Sequence, residues 1–150
     1  MVMTREQLLQ AIDTRRVHDA IENAERRTSG EIVVSVSPVF WGSVEKAAQR
    51  AFDRLGVANT KERNGVLFFI VPSRRRFVVL GDEGIHARGG DPLWNKVVGR
   101  MVDRFRAGDF TEGLVQGIAE VGEQLATHFP YDADNDVNEL SDDIDFGERH

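Results

Sequence analysis

The sequence contains no cysteine and no apolar run long enough to cross a membrane. Without cysteine, the chain can form no disulfide, thiolate metal site or cysteine nucleophile, which fits a reducing compartment. A membrane helix needs roughly 20 consecutive apolar residues, and a signal peptide needs a shorter apolar core. The first residues, Met1 to Glu6, lead directly into charged positions. We therefore expect a cytoplasmic protein without a membrane span.

The common catalytic signatures are also missing. The sequence has no Gly-x-Ser-x-Gly elbow, no His-Glu-x-x-His pair and no phosphate-binding loop ending in Gly-Lys-Ser or Gly-Lys-Thr. The histidines are far apart along the chain, and a single histidine is usually a surface or helix-end residue rather than a ligand. The sequence therefore assigns a catalytic role to no residue.

Acidic residues are concentrated at one end of the chain. Residues 131–150 contain eight acids and one Arg, whereas the rest contains 17 acids and 18 bases. A body without a basic stripe, followed by an acidic tail, is not typical of a nucleic-acid-binding protein. A length of 150 residues suits one domain. We predict an α/β domain over residues 1–130 and an acidic tail over residues 131–150.

The hydrophobic pattern predicts a three-layer α/β/α sandwich around a small mixed sheet. Helical spacing indicates one or two helices before Thr28, and continuous apolar runs predict buried strands. A strand, helix and strand in succession imply a parallel crossover, and a short turn at Pro72 implies an antiparallel hairpin. The predicted strands cover residues 31–37, 66–71 and 76–80, and the later helices cover residues 43–55, 91–105 and 114–129.

This topology brings acidic and amide side chains to one edge of the sheet. Glu31 and Asn64 lie at the starts of the two parallel strands, and Asp82 lies at the end of the third. Glu83 and Asp91 follow in a glycine-rich loop. Hard oxygen ligands of this kind are those that Ca²⁺ and Mg²⁺ prefer, so we predict a divalent-cation site, with calcium favoured. The alternative is that Asp82 and Asp91 cap helices while Glu31 and Glu83 are solvated.

A second metal-binding pattern lies in the acidic tail. Asp132-x-Asp134-x-Asp136, with Asp143 at the twelfth position, has the acid spacing of an EF-hand loop. Val137 occupies the position that needs glycine, and Pro130 ends the preceding helix, so a solvated tail is the alternative. The apolar residues Val137, Leu140, Ile144 and Phe146 would allow this tail to lie along a groove. The arginines Arg74–Arg76 at the hairpin turn either bind an anion or an acidic partner, or form a solvated turn. The aromatic loop Phe40–Gly42 either forms an exposed contact patch or folds back on the helix that starts at Ser43.

Several short motifs follow one another between residues 15 and 130. They are Ser29-Gly30-Glu31-Ile32, Phe52-x-x-Leu55-Gly56, Thr60-x-x-Arg63-Asn64-Gly65, Gly81-Asp82-x-Gly84-Ile85, Trp94 and Phe105-x-x-Gly108-Asp109-Phe110. In this order they resemble the TPM domain family. The resemblance implies an α/β/α sandwich with a divalent-cation site, usually calcium, that includes Glu31, Asp82 and Glu83.

Phosphatase activity is ascribed to a plant member of this family. This chain lacks the signal peptide, trailing membrane helix and glycine-rich end of common bacterial members, which implies a soluble branch.

Two functions follow from these observations. The first is a noncatalytic binding or assembly module. In it, the cation orders the loop from Gly81 to Gly90, and the acidic tail or the aromatic loop Phe40–Gly42 contacts a protein partner. The alternative is metal-dependent hydrolysis of a phosphomonoester. There, Asp82, Glu31 and Asp91 would hold the cation, Arg63 would stabilise the phosphate and His86 would act as acid or base.

Overall fold

The structure, a computed structural model, describes residues 4–38, 41–88, 90–132 and 139–147, with the backbone alone for Arg5 and Asp91. Helices and strands alternate through the first two-thirds of the chain, and two long helices follow. The helices are α1 (Arg5–Ala11), α2 (Thr14–Glu25), α3 (Val44–Arg54), α4 (Glu83–Arg88), α5 (Gly90–Arg106) and α6 (Phe110–His128), and the strands are β1 (Glu31–Val36), β2 (Gly65–Val71) and β3 (Arg76–Gly81).

The described strands form one sheet in the order β1-β2-β3. Strands β1 and β2 are parallel, and Glu31 lies opposite Gly65. Strands β2 and β3 are antiparallel, and a 3₁₀ turn at Pro72–Arg74 joins them. The predicted crossover and hairpin are therefore confirmed. Because β1 and β3 are the outer strands, β1 keeps one backbone edge free of strand partners from this sheet.

Helices cover both faces of the sheet. Every residue of β1 and β2 is buried, as the continuous apolar runs predicted. On one face, Val33 and Leu67 pack with the apolar side of α3. On the other face, Ile32 and Phe68 pack with residues of α2, α5 and α6. These layers confirm the three-layer sandwich. No helix in the described ranges is long and apolar enough to cross a membrane.

The start of each early helix follows its capping residue. Thr4 forms a complete capping box with Gln7, and the Ser43 hydroxyl accepts a hydrogen bond from the Lys46 amide. The prediction of a loop between Gly81 and Gly90 was wrong in part, because residues 83–88 form α4. This short helix is stabilised by tertiary packing, since its residue Ile85 is fully buried.

Part of the acidic tail packs against the domain. We call residues 139–147 the C-terminal segment. Its Asp145 pairs with Ser35 as an isolated parallel bridge on the free edge of β1. Ile144 and Phe146 pack against the core on the α2 side, and Leu140 packs on the α3 side. The segment therefore follows β1 from one end to the other.

Candidate functional site

The predicted sheet-edge residues lie next to one another along the backbone. The Glu31 amide donates to the Asn64 carbonyl at 3.3 Å, and the Asp82 amide donates to the Gly65 carbonyl at 3.0 Å. Their side chains, however, have different partners. Asn64, Asp82 and Glu83, here called the sheet-edge group, contact Arg63 and Glu62, whereas Glu31 contacts acids from other segments.

Asp82 forms an ion pair with Arg63. Arg63 Nε lies 2.7 Å from Asp82 Oδ2, and Arg63 Nη2 lies 2.9 Å from Oδ1. The amide of Glu83, the first residue of α4, also donates to Oδ1 at 2.8 Å. The Asp82 side chain is 6% exposed, and Arg63 also contacts the Glu83 carboxylate at 3.2 Å. The charge of Asp82 is thus already neutralised by a two-bond pair with arginine.

A close backbone approach holds this ion pair in place. The Gly84 amide donates to the Arg63 carbonyl at 2.9 Å. A Cβ on Gly84 would lie 2.4 Å from the Glu62 carbonyl oxygen, so a larger residue does not fit. Arg63 itself has a φ of 51°, which is uncommon for a residue with a side chain. Gly84 thus allows α4 to pack closely against the backbone of Glu62 and Arg63.

Asn64 is the most buried member of the sheet-edge group. It is 1% exposed, and its amide nitrogen donates to Ser29 Oγ at 3.3 Å and to Glu62 Oε2 at 3.4 Å. Its Oδ1 atom is buried and accepts no hydrogen bond from any described residue. The fifth predicted ligand, Asp91, lies in the first turn of α5, and its side chain is not among those described.

Glu31 belongs to a different group of acids. We call Glu25, Glu31 and Asp142 the carboxylate cluster. Glu31 is buried at the start of β1 and accepts a hydrogen bond from the Glu139 amide. Glu25, the last residue of α2, accepts a hydrogen bond from the Ile32 amide at 3.0 Å and lies within hydrogen-bonding reach of the Glu31 and Asp142 carboxyls. The cluster therefore joins α2, β1 and the C-terminal segment.

Burial and mutual repulsion raise the affinity of this cluster for protons. Burial, together with the neighbouring Asp142 carboxyl, raises the pKa of Glu25 to about 10. Burial also raises the pKa of Glu31, although hydrogen bonds from the Glu139 amide and Glu25 oppose the shift. No basic side chain is among the described groups that shift the pKa of Glu25 or Glu31 most strongly. The carboxylate cluster thus lacks an arginine partner such as the one that Asp82 has.

The cluster extends along α2 towards the surface. His18, Glu22 and Asp142 each place one potential ligand atom within 4.8 Å of the others. His18 and Glu22 are four residues apart on one helix face, and Glu25 follows one turn later. Asp142 Oδ1 is buried and accepts no hydrogen bond from the described part of the chain. Asp142 therefore lies between His18 and Glu22 on one side and Glu25 and Glu31 on the other.

Of these four acids and one histidine, only Glu31 was a predicted ligand. The spacing of His18, Glu22 and Glu25 on one helix face was available from the sequence, but isolated helix-face acids are common and solvated. Asp142 had no sequence signal, because its position depends on the docking of the C-terminal segment. In the other tail pattern, Asp134 and Asp136 lie outside the described residues.

The remaining candidate residues have structural contacts. Arg74 donates to the Gly42 carbonyl, Arg75 to the Arg106 carbonyl, and Arg76 to Glu45. His86 is exposed, and its Nδ1 accepts a hydrogen bond from the Trp94 indole at 3.4 Å. Each of these side chains thus contacts another part of the same chain.

Comparison with known proteins identifies the family. A sequence profile of the TPM domain matches residues 2–124. The chain belongs to the TPM domain family. It resembles the BA42 protein of the psychrophilic bacterium Bizionia argentinensis, with 35% identity, a TM-score of 0.84 and coverage of 93% of this chain and 94% of that one. The comparison with curated proteins finds no match.

Two more distant solved structures share the TPM fold. The N-terminal domain of a P. gingivalis protein has 23% identity and a TM-score of 0.62, covering 86% of this chain and 95% of that one. The N-terminal domain of the cg2496 protein of Corynebacterium glutamicum has 14% identity and a TM-score of 0.58, covering 91% and 79%. The profile match ends before Asp142, whereas the BA42 similarity extends over most of the chain.

Proposed function

We propose that this TPM domain is a noncatalytic module that binds a divalent cation, calcium in preference to magnesium, and contacts a protein partner. We assign the cation to the carboxylate cluster, with His18 and Glu22 at its outer side. The observation that carries this proposal is geometric: His18, Glu22 and Asp142 place potential ligand atoms within 4.8 Å of one another, and the buried Asp142 Oδ1 accepts no hydrogen bond from the described residues. The raised pKa of Glu25 and of Glu31 agrees with it.

Electrostatics supports this assignment. Carboxylates gathered away from water repel one another unless a proton or a cation neutralises them. Glu25, Glu31 and Asp142 supply oxygen ligands, and Asp142 Oδ1 is buried without a hydrogen-bond donor from the described residues. Calcium accepts six to eight oxygen ligands in flexible geometry, whereas magnesium needs an octahedron with several waters. A cluster assembled from a helix end, a strand and a separate segment suits the more flexible ion.

The sheet-edge group remains the competing position for the cation. Glu31 belongs to both hypotheses, but Asp82 holds Arg63 through both carboxylate oxygens. A cation at Asp82 would have to displace this guanidinium, which stabilises the start of α4. Two observations favour a cation at the sheet edge, namely the buried Asn64 Oδ1 without a described donor and the backbone position of Asp91. They count only if the cation displaces the Arg63 guanidinium.

The phosphatase alternative requires two side chains to leave the partners that they have in the structure. It needs Arg63 to bind phosphate and His86 to transfer a proton. Arg63 instead pairs with Asp82, and His86 accepts a hydrogen bond from Trp94 on the outside of α4. Hydrolysis would therefore require both side chains to exchange partners. A binding role requires no such rearrangement, so we favour the noncatalytic module.

Calorimetric titration with Ca²⁺ and Mg²⁺ tests the proposal and separates the two positions. We expect Glu25→Gln and Asp142→Asn to weaken calcium binding at least about tenfold, since each removes one anionic ligand. We expect Asp82→Asn to leave the affinity nearly unchanged, and the exposed Asp103→Asn serves as the control. Loss of binding in Asp82→Asn alone would move the site to the sheet edge. Absence of binding in the wild type would overturn the cation proposal.

A phosphomonoester assay in the presence of the better-bound metal separates module from enzyme. We expect no turnover of p-nitrophenyl phosphate above the level of a heat-denatured sample. Turnover that disappears in both Arg63→Ala and His86→Ala, and persists in Asp103→Asn, would establish the hydrolase instead.

A further inference from the structure

The free edge of β1 is occupied by the chain's own C-terminal segment. The Val36 amide donates to the Asp145 carbonyl at 2.7 Å, and the Asp145 amide donates to the Val34 carbonyl at 3.0 Å. Closer to the start of the strand, the Ile32 amide donates to the Glu25 carboxylate. An unpaired strand edge is a template for pairing with another strand. In this protein, the Asp145 backbone covers the edge near the end of β1, and the Glu25 side chain covers it near the start.

The Asp145 side chain is recognised on the α3 face of the sheet. Arg54 Nη2 lies 2.7 Å from Asp145 Oδ2, and Nη1 lies 3.2 Å from Oδ1. Ser35 Oγ donates to Oδ2 at 2.8 Å, and the Gly147 amide donates to it at 3.2 Å. The Asp145 side chain is 17% exposed. Burial alone would raise the pKa of Asp145, but the bonds from Arg54 and Ser35 lower it. The groove along the β1 edge, lined here by Arg54 and Ser35, therefore favours an ionised acid.

The two neighbours of Asp145 contact the opposite face. Ile144 and Phe146 pack against the core that α2, α5 and α6 form with the sheet. Alternation of side chains between two faces is the property of an extended strand. The groove therefore recognises a pattern: an apolar residue, an acid and another apolar residue, in an extended conformation parallel to β1.

We propose that the β1 edge is a strand-acceptor site for a partner protein that carries an extended apolar-Asp-apolar segment, and that the C-terminal segment is its internal competitor. This inference goes beyond the cation-binding function and does not depend on it. The partner's segment adds to β1 as a parallel strand, and Arg54 pairs with its acid. Main-chain bonds supply affinity, and the Arg54 pair supplies specificity.

The pattern of strand pairing makes the internal segment displaceable. The segment pairs with β1 through an isolated bridge at Ser35, whereas β1 and β2 pair along six consecutive positions. A partner segment that pairs with more of the β1 edge would form more main-chain hydrogen bonds than the internal segment does.

Displacement can be tested with a fluorescent peptide that copies residues 139–147, in a buffer with chelator so that no cation contributes. The acceptor is the full-length chain with Ile144→Ser, Asp145→Ala and Phe146→Ser, which removes the anchors of the internal segment. Amide exchange at Val36 reports whether the edge is open. The single variant Asp145→Ala repeats the measurement with a milder change.

We expect the peptide to bind the triple variant at least about tenfold tighter than the wild type, because the internal segment no longer competes. Binding should restore protection of the Val36 amide, and a peptide with Ala in place of its central Asp should bind at least about tenfold weaker. Equal binding to both chains, no binding to either variant, or tolerance of the Ala peptide would each overturn the proposal. A wild-type dimer that the triple variant does not form would also overturn it, by identifying a second copy as the occupant.

Discussion

Arg54 and Asp145, 91 positions apart in the sequence, form a two-bond ion pair that joins α3 to the C-terminal segment. This pair lies beside the free edge of β1, on the α3 face of the sheet. Both side chains are mostly buried, at 30% and 17% exposure, and Ser35 supplies a third hydrogen bond to the same carboxylate.

This ion pair should contribute measurably to stability. In a double-mutant cycle of Arg54→Ala and Asp145→Ala, followed by urea unfolding, we expect a coupling energy of about 1 kcal/mol. The more exposed pair between Arg16 and Glu112 is the control, and its coupling should be smaller. A coupling energy near zero would show that the segment is held by its apolar residues and main-chain bonds alone.

The carboxylate cluster should make the protein less stable as the pH rises. Because the native pKa of Glu25 is about 10 and its ordinary value is 4.5, the native state holds more protons than the unfolded state between these values. The free energy of unfolding therefore decreases across this window, by at most about 1.4 kcal/mol per pH unit for one proton. Urea unfolding in chelator from pH 6 to pH 9 measures the slope. Glu25→Gln should flatten it, whereas the exposed Glu123→Gln should not.

Cation binding should release protons from the same cluster. A cation and a proton compete for the carboxylates, so we expect calcium affinity to increase from pH 6 to pH 9. Calorimetry in two buffers with different ionisation enthalpies counts the protons released at each pH. An affinity independent of pH, with no proton release, would show that the cation binds away from Glu25 and Glu31.

The contact between Gly81 and Trp94 should tolerate no additional methyl group. A Cβ on Gly81 would lie 2.1 Å from Trp94 Cζ2, so Gly81→Ala forces the indole to move. We expect a loss of about 1–3 kcal/mol in the free energy of unfolding. Gly99 in α5 is the matched control, since a Cβ there meets nothing within 4 Å. Gly99→Ala should increase stability by up to about 1 kcal/mol, because alanine favours the helix.

Local sequence patterns predicted most of the fold but only part of the site. Apolar runs identified β1 and β2, and helical spacing identified α3 over residues 43–55. Helix α4 was missed because its six residues have too few hydrogen bonds to form a helix alone, and the burial of Ile85 stabilises it. The topology placed Glu31, Asn64 and Asp82 at one edge, but it could not predict which side chains would pair with Arg63.

The sequence by itself determined the layers, the strand order and the absence of thiol chemistry, because these depend on residue type and on periodicity along the chain. Only the tertiary structure decided which charges are neutralised. Asp82 meets Arg63, Asp145 meets Arg54, and Glu25 and Glu31 meet another acid, Asp142. An ion pair or a shared proton needs its two groups within about 4 Å of each other, so the outcome depends on spatial contacts between distant segments and not on spacing in the sequence.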